Sequence, residues 1–217
     1  CAGGVDSTGE FKFKLEATPA DHKAYRIVVK GLKGGHSGLD IHLGRGNANK
    51  IINTLMLMAA DKVGLRVSQV DGGSLRNAIP REAFATIVVP AKNAELFEQF
   101  TAEFEAIAKD EFAEADGGLS IQAEAAELPE NVVDMKAQNS LFEAVAKCPN
   151  GVIAMSKDME GVVETSTNLA TVKMNDGQFV IGTLQRSSVD ADKEKLAAQI
   201  RDVFEKAGGK AYSSGDY

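Results

Sequence analysis

An α+β fold is predicted for this chain: two split-βαβ (ferredoxin-like) sandwich units, with antiparallel sheets and the helices packed on one face. Three observations predict it. Segments with the two-residue period of strands alternate with segments at helical spacing. The order strand, helix, strand, strand, helix occurs twice, once on each side of about Glu127. Neighbouring strands are joined by short turn sequences such as Asp71-Gly72-Gly73 and Asn175-Asp176-Gly177-Gln178, the latter a good hairpin signal. The units are therefore placed at about 1–127 and 128–217, with the polar stretch Leu128-Pro129-Glu130-Asn131 as the boundary. No repeat at a fixed period of roughly 20–50 residues occurs, which disfavours a solenoid.

Each element has its own justification. From Glu10, Phe11, Phe13 and Leu15 alternate with Lys12, Lys14 and Glu16, as in a half-buried strand. Ala24 to Gly31 is β-branched and reads as the next strand. Ala48, Ile51, Ile52, Leu55, Met58 and Ala59 make one apolar stripe, predicting a helix over about Asn47 to Lys62. Leu65 to Val70 and Ala83 to Val89 are strands, the second closed by Pro90. Phe97, Phe100, Phe104, Ile107, Ala108 and Phe112 share a helix face, and Leu119 to Ala123 follows as a strand. Ser140-x-x-Glu143 resembles a capping box opening a short helix. Val152 to Met155, Leu169 to Met174 and Phe179 to Leu184 read as strands. The last helix carries Leu196, Ala197, Ile200, Val203, Phe204 and Ala207, with Gly208 just past its end.

Composition bounds the function. With 217 residues, 44% hydrophobic and 25% charged, the chain can bury a sizeable core. Its formal charge of −7 and lack of a Lys/Arg cluster argue against nucleic acid as a partner. No apolar run approaches the ~18 residues of a spanning helix, so no membrane role is expected. Two cysteines, Cys1 and Cys148, without CxxC spacing point to a reducing cytoplasm. The start at Cys1-Ala2-Gly3-Gly4 and the end at Ser213-Ser214-Gly215-Asp216-Tyr217 read as cuts within something longer, with no obvious terminal element.

No motif declares a complete active site. The histidines are His22, His36 and His42, with no HxxxH, HExxH or HxD arrangement. Asp40-Ile41-His42 would place two ligands on one side of a strand, short of the three a catalytic zinc needs, so no metal site is assigned. Gly44-Arg45-Gly46 before a helix could cradle a phosphate or merely loosen the helix entry. Three polar residues stand out. His36, in Gly34-Gly35-His36-Ser37-Gly38, is an imidazole that glycines on both sides can present directly after a strand; the five residues alone favour a turn histidine bonded to backbone. Asn77, in Leu75-Arg76-Asn77-Ala78-Ile79-Pro80, is a carboxamide at a strand entry or a turn-forming Asn. Arg186 ends a strand, either as a surface charge or as a guanidinium fork for a carboxylate.

Together, Lys33-Gly34-Gly35-His36-Ser37-Gly38 and Gly72-Gly73-Ser74-Leu75-Arg76-Asn77-Ala78-Ile79-Pro80-Arg81-Glu82-Ala83 resemble the inserted lid or dimerisation domain of cocatalytic dizinc exopeptidases. That clan includes aminoacylases, carnosinases and bacterial tripeptidases. With Ser37 to His42 and Val163-Glu164-Thr165-Ser166-Thr167-Asn168-Leu169-Ala170 added, the pattern is most similar to the bacterial aminoacyl-histidine dipeptidase (cytosol nonspecific dipeptidase) family, over nearly the whole chain. The resemblance implies a cytoplasmic hydrolase of Xaa-His and other unblocked dipeptides. It also implies two Zn2+ in a separate catalytic domain that this segment interrupts. None of that domain's ligand motifs occurs here, so the chain alone is expected to hold no cofactor and hydrolyse nothing. It further implies that His36 stabilises the oxyanion, that Asn77 and Arg186 hold the dipeptide carboxylate, that the chain's partner is its own catalytic domain, and that a homodimer is permitted. From composition alone, a stand-alone oligomerisation or ligand-binding module remains the alternative.

Overall fold

The computed structural model describes residues 2–217, so Cys1 lies outside it. The strands are β1 (Gly3–Lys12), β2 (Leu15–Ala17), β3 (His22–Lys30), β4 (Gly35–His36), β5 (Arg66–Gly72), β6 (Ala78–Ile79), β7 (Ala83–Pro90), β8 (Ser120–Ala126), β9 (Asn131–Val133), β10 (Gly151–Met155), β11 (Val163–Asn175), β12 (Gln178–Ser187) and β13 (Lys210–Ser214). The helices are α1 (Ala48–Val63), α2 (Ala94–Glu111), α3 (Met135–Lys147) and α4 (Asp190–Lys206). Nine strands form one antiparallel sheet in the order β13-β1-β12-β11-β5-β7-β3-β8, with β10 also paired to β11. The helices pack in the row α2-α1-α3-α4, and one continuous core joins them to the sheet. The chain is α+β with its helices against the sheet.

Two units of the same topology share that sheet. In the first, β3, α1, β5, β7, α2 and β8 follow in chain order, and the strands lie as β8-β3-β7-β5. In the second, β1, α3, β11, β12, α4 and β13 do the same, lying as β13-β1-β12-β11. Each is a split βαβ arrangement with its fourth strand beside its first and its third beside its second. The division at about residue 127 needs one correction, since β1 belongs to the C-terminal unit. It pairs along its whole length with β12, from Gly3↔Ser187 to Lys12↔Gln178. The first unit is thus inserted between β1 and α3, and its entry and exit segments, β2 and β9, pair with each other. That ribbon lies on the face away from the helices, where Val132 packs with Ala24 and Val88 and the Arg66 guanidinium donates to Val133 O at 2.9 Å.

Three further departures from the sequence reading have local causes. β1 begins seven residues before Glu10, through a stretch of Gly, Ser, Thr and Asp that carries no hydrophobic alternation. The C-terminal segment read as having no element contains β13, which completes the sheet beyond β1. α3 opens at Met135 rather than near Ser140, because the Asp134 carboxylate caps it by accepting from Ala137 N at 3.1 Å.

Within the single sheet the two units meet, among the described residues, through two residue pairs, Gly72↔Val172 and Asp71↔Lys173. Beside the shared apolar core, the N-cap Asn47 and polar residues of α1 tie the units together. Asn47 Nδ2 donates to Leu169 O at 2.9 Å, Asn49 Nδ2 to Ala170 O at 3.2 Å and Asn53 Nδ2 to Phe142 O at 3.1 Å. The Lys50 ammonium donates to Val145 O at 2.7 Å, to Ala146 O at 3.3 Å and to Cys148 O, satisfying carbonyls at the α3 C-terminus that have no helical partner. Burial holds the Lys50 ammonium below the usual lysine range and pushes the Cys148 thiol up to about 12, so Cys148 packs as a small apolar group.

Lys50→Met removes a charged donor while keeping most of the stem's packing. It should destabilise the chain by about 2 kcal/mol, the net worth of hydrogen bonds to a charged group. A urea midpoint equal to that of the parent would show that Lys50 does not tie the units together.

Candidate functional site

The face of the sheet opposite the helices carries the polar residues singled out by the sequence. In β12, Phe179 and Ile181 join the core beneath the helices, so by strand alternation Leu184 is on their opposite face only through its even position, as is Arg186. Arg186 is half-buried there, paired in register with Gly4 on one side and Ser166 on the other.

His36 reaches this face through backbone that only glycine adopts easily. Gly34 and Gly35 have φ of +65° and +131°, and a Cβ on Gly35 would stand 2.6 Å from Asp40 Oδ2. The short ribbon β4–β6 then pairs Gly35 with Ile79 and His36 with Ala78. The His36 amide donates to Asp40 Oδ2 at 2.8 Å, and Asp40 N returns a bond to His36 O at 2.9 Å. The imidazole is fixed as well. Its Nδ1 accepts from Gly38 N at 3.0 Å and from Leu39 N at 3.2 Å. An Nδ1 that accepts two amide hydrogens carries its lone pair there, so the neutral ring holds its hydrogen on Nε2 and presents it as a donor. The turn histidine bonded to backbone and the histidine presented by glycines are therefore one arrangement.

Ser37 and Gly38 bring the other two residues to the same place. The Arg186 Nε donates to Ser37 Oγ at 3.3 Å, and Ser37 N donates to Asn77 O at 2.9 Å. A Cβ added to Gly38 would lie 3.2 Å from His36 Cε1 and 3.2 Å from Arg186 Cδ, so the imidazole and the arginine side chain flank one glycine. Arg186 Nη1 also donates to Tyr217 Oη at 3.3 Å. Asn77 is joined to the pair through its backbone, and its side chain is exposed.

Other residues had no signal in the sequence. Ser37, 2% exposed, is the link between Arg186 and Asn77. Asn168 of β11, which the resemblance included without a role, donates from Nδ2 to Arg76 O at 3.1 Å and to Ala78 O at 2.9 Å, the carbonyls on either side of Asn77.

Two motifs resolve differently from their first reading. Asp40-Ile41-His42 is not a strand: Ile41–Leu43 is a 3₁₀ turn, and Asp40 is engaged with the His36 amide. The Gly44-Arg45-Gly46 loop is occupied by the protein's own carboxylate, since Gly46 N donates to Asp116 Oδ2 at 2.9 Å and Arg45 Nη1 donates to Gly34 O at 2.7 Å. Among the described residues, no three His, Cys, Asp or Glu side chains gather as a metal centre requires, so the residues present do not fit a zinc pair. A groove of about 480 Å3 runs nearby, lined by Lys33, Gly35, Ala78, Arg81 and Lys173; His36, Asn77 and Arg186 do not line it.

The arrangement offers a neutral N–H donor beside a guanidinium, a pairing suited to a developing oxyanion and to a carboxylate respectively.

Comparison with known proteins gives this geometry a context. A family model for the peptidase dimerisation domain matches residues 27–116. The chain is 37% identical over all 217 residues to the cytosol non-specific dipeptidase of Escherichia coli (strain K12), of which it covers 45%. It also matches the crystal structure of aminoacylhistidine dipeptidase from Vibrio alginolyticus with a TM-score of 0.97 and 37% identity, covering 100% of this chain and 44% of that one. The chain thus spans a little under half the length of these relatives.

The imidazole geometry can be checked directly. Long-range 15N–1H correlation spectra of the neutral imidazole should show the hydrogen of His36 on Nε2 and a bare Nδ1. A signal from the Nδ1–H form would mean that the two loop amides do not hold the ring.

Proposed function

With a peptidase dimerisation domain within a chain related over its full length to aminoacylhistidine dipeptidases, we propose that the chain is the lid and substrate-binding part of a cytoplasmic dipeptidase acting on Xaa-His and other unblocked dipeptides. Its dimerisation domain further suggests a homodimer as the working assembly. The observation that carries this reading is the meeting of His36 and Arg186 at Gly38, with Ser37 tying Arg186 to the Asn77 loop. An exopeptidase has to hold a chain end, because fixing that end restricts cleavage to one bond and orients it.

In this reading the Arg186 guanidinium and the Asn77 carboxamide receive the free carboxylate of the dipeptide. The His36 Nε2–H donates to the carbonyl oxygen as negative charge develops on it. Both act as preset donors. The hydrogen bonds to His36 Nδ1 and from Arg186 Nε are made before substrate arrives, so little reorganisation is left for the reaction. The two zinc ions implied by the resemblance belong to the catalytic domain of the complete enzyme; this chain contributes hydrogen-bond donors alone. No described helix is long and apolar enough to cross a membrane. The cytoplasmic assignment rests on the relative's description as a cytosol enzyme.

In the complete enzyme, His36→Ala should lower kcat by about 10²–10³, the effect of losing one oxyanion donor, with the thermal midpoint unchanged. A loss below about threefold would remove His36 from the reaction. Arg186→Ala should raise KM for an unblocked dipeptide and leave the C-terminally amidated dipeptide, already a poor substrate, little affected. Equal damage to both substrates would separate Arg186 from carboxylate binding.

A further inference from the structure

We propose that Asn168 is a positioning residue that acts through Asn77, fixing the turn that presents the Asn77 carboxamide to substrate. The inference rests on the carboxylate-binding role proposed for Asn77 and adds a residue that touches no substrate itself.

Asn77 is at the apex of a turn closed by Ala78 N donating to Leu75 O at 3.1 Å. That turn would otherwise be an exposed loop, since Ser74, Leu75 and Asn77 are all exposed. Two side chains fasten it to the sheet. Asn168, 1% exposed, spends both Nδ2 hydrogens on Arg76 O and Ala78 O, so the residues before and after Asn77 are held by one amide. Arg76 extends over β1 and β12, where Nη2 donates to Thr8 Oγ1 at 2.7 Å and Nη1 to Thr183 O at 3.0 Å. Gly182 leaves room for it, because a Cβ there would stand 2.7 Å from Arg76 Nε. The Asn77 backbone is then bracketed by Asn168 on both sides and by the bond from Ser37 N to Asn77 O.

Asn168 spends its whole donor capacity on this turn. Its Oδ1, like those of Asn49 and Asn53, is buried without a donor among the described residues, while both Nδ2 hydrogens go to the carbonyls that flank Asn77. Turning the amide over would aim Oδ1 at two carbonyl oxygens, so the donor must face the turn. The register of β11 against β12 shifts between Leu169 and Thr171, so β11 is bulged at Ala170, two residues beyond Asn168. Bulges re-aim side chains and recur beside active sites. A side chain that fastens the carbonyls on both sides of Asn77 is placed to hold the turn that carries it.

The experiment uses the complete enzyme with Asn168→Leu, Asn77→Ala and the double substitution, read by KM, kcat and thermal midpoint on an unblocked dipeptide and its C-terminal amide. Asn168→Leu should raise KM for the unblocked dipeptide about 10-fold, the size of one or two hydrogen bonds, with kcat within about threefold. It should leave the amide unaffected and add nothing to Asn77→Ala, because the two act as a unit. An additive increase in the double variant overturns the inference. So does an unchanged KM in Asn168→Leu while Asn77→Ala raises it; either result leaves the carboxylate role of Asn77 standing. If Asn77→Ala itself leaves KM unchanged, that role falls and the inference falls with it. Should Asn168→Leu fold poorly, Asn168→Ser keeps one donor and should give a smaller KM increase of the same kind; no increase in a folded Asn168→Ser overturns the inference too.

Discussion

Ser37 is the contact on which the site depends. Its amide hydrogen goes to the Asn77 carbonyl and its hydroxyl oxygen receives the Arg186 Nε, so one buried residue joins the glycine loop, the Asn77 turn and strand β12. Those three segments lie far apart along the chain. Neither bond is strong by itself: the neutral bond from Ser37 N to Asn77 O contributes about 1 kcal/mol net, and the one from the Arg186 guanidinium is long at 3.3 Å. Their effect is geometric: each restricts a segment in a direction that the others leave open. His36 then needs only its own loop amides to be oriented, and it lies beside Arg186 because Gly38 leaves space for both.

A second constraint acts at the level of the units. The two units pair across the sheet through two residue pairs and share one core beneath the helices. Asn47 at the α1 N-cap, with Asn49, Asn53 and Lys50 of α1, adds directional ties by bonding to carbonyls of β11 and α3. The site spans that same junction, with His36 and Asn77 contributed by the first unit and Arg186 and Asn168 by the second. Rigidity between the units is therefore a condition for the site's geometry. Polar residues supply it because carbonyls at a helix end and at a bulged strand need donors.

The sequence made the helices and the hydrophobic strands legible. α1, α2 and α4 repeat their apolar residues at helical spacing, and the Asp176-Gly177 turn announced the β11–β12 hairpin. It did not reveal the first half of β1, whose Ser7 is buried by donating to Gln185 Oε1 rather than by apolar packing. A strand filled with a polar network has no hydrophobic period to read. β13 was missed for a related reason: it is an exposed edge whose ladder partner among the described residues is β1 alone. Within the site, His36 was visible from its glycines. Asn77 and Arg186 were singled out as polar residues at strand ends, Arg186 with a carboxylate fork as one of two readings, and the resemblance assigned both to the dipeptide carboxylate. Ser37 and Asn168 lay within the segments that carried the resemblance but had no assigned role, since what they do is set by which distant strands become neighbours.

The insertion of one unit inside the other has a consequence for how the chain is made. All the strands of the first unit lie between His22 and Ala126, so its ladders can close while the remainder is still being synthesised. β1 emerges before the first unit does, yet among the described residues its ladder partners are β12 and β13, which follow that unit. β1 must therefore wait while the whole first unit is made, and the second unit closes only after translation has passed Ser214.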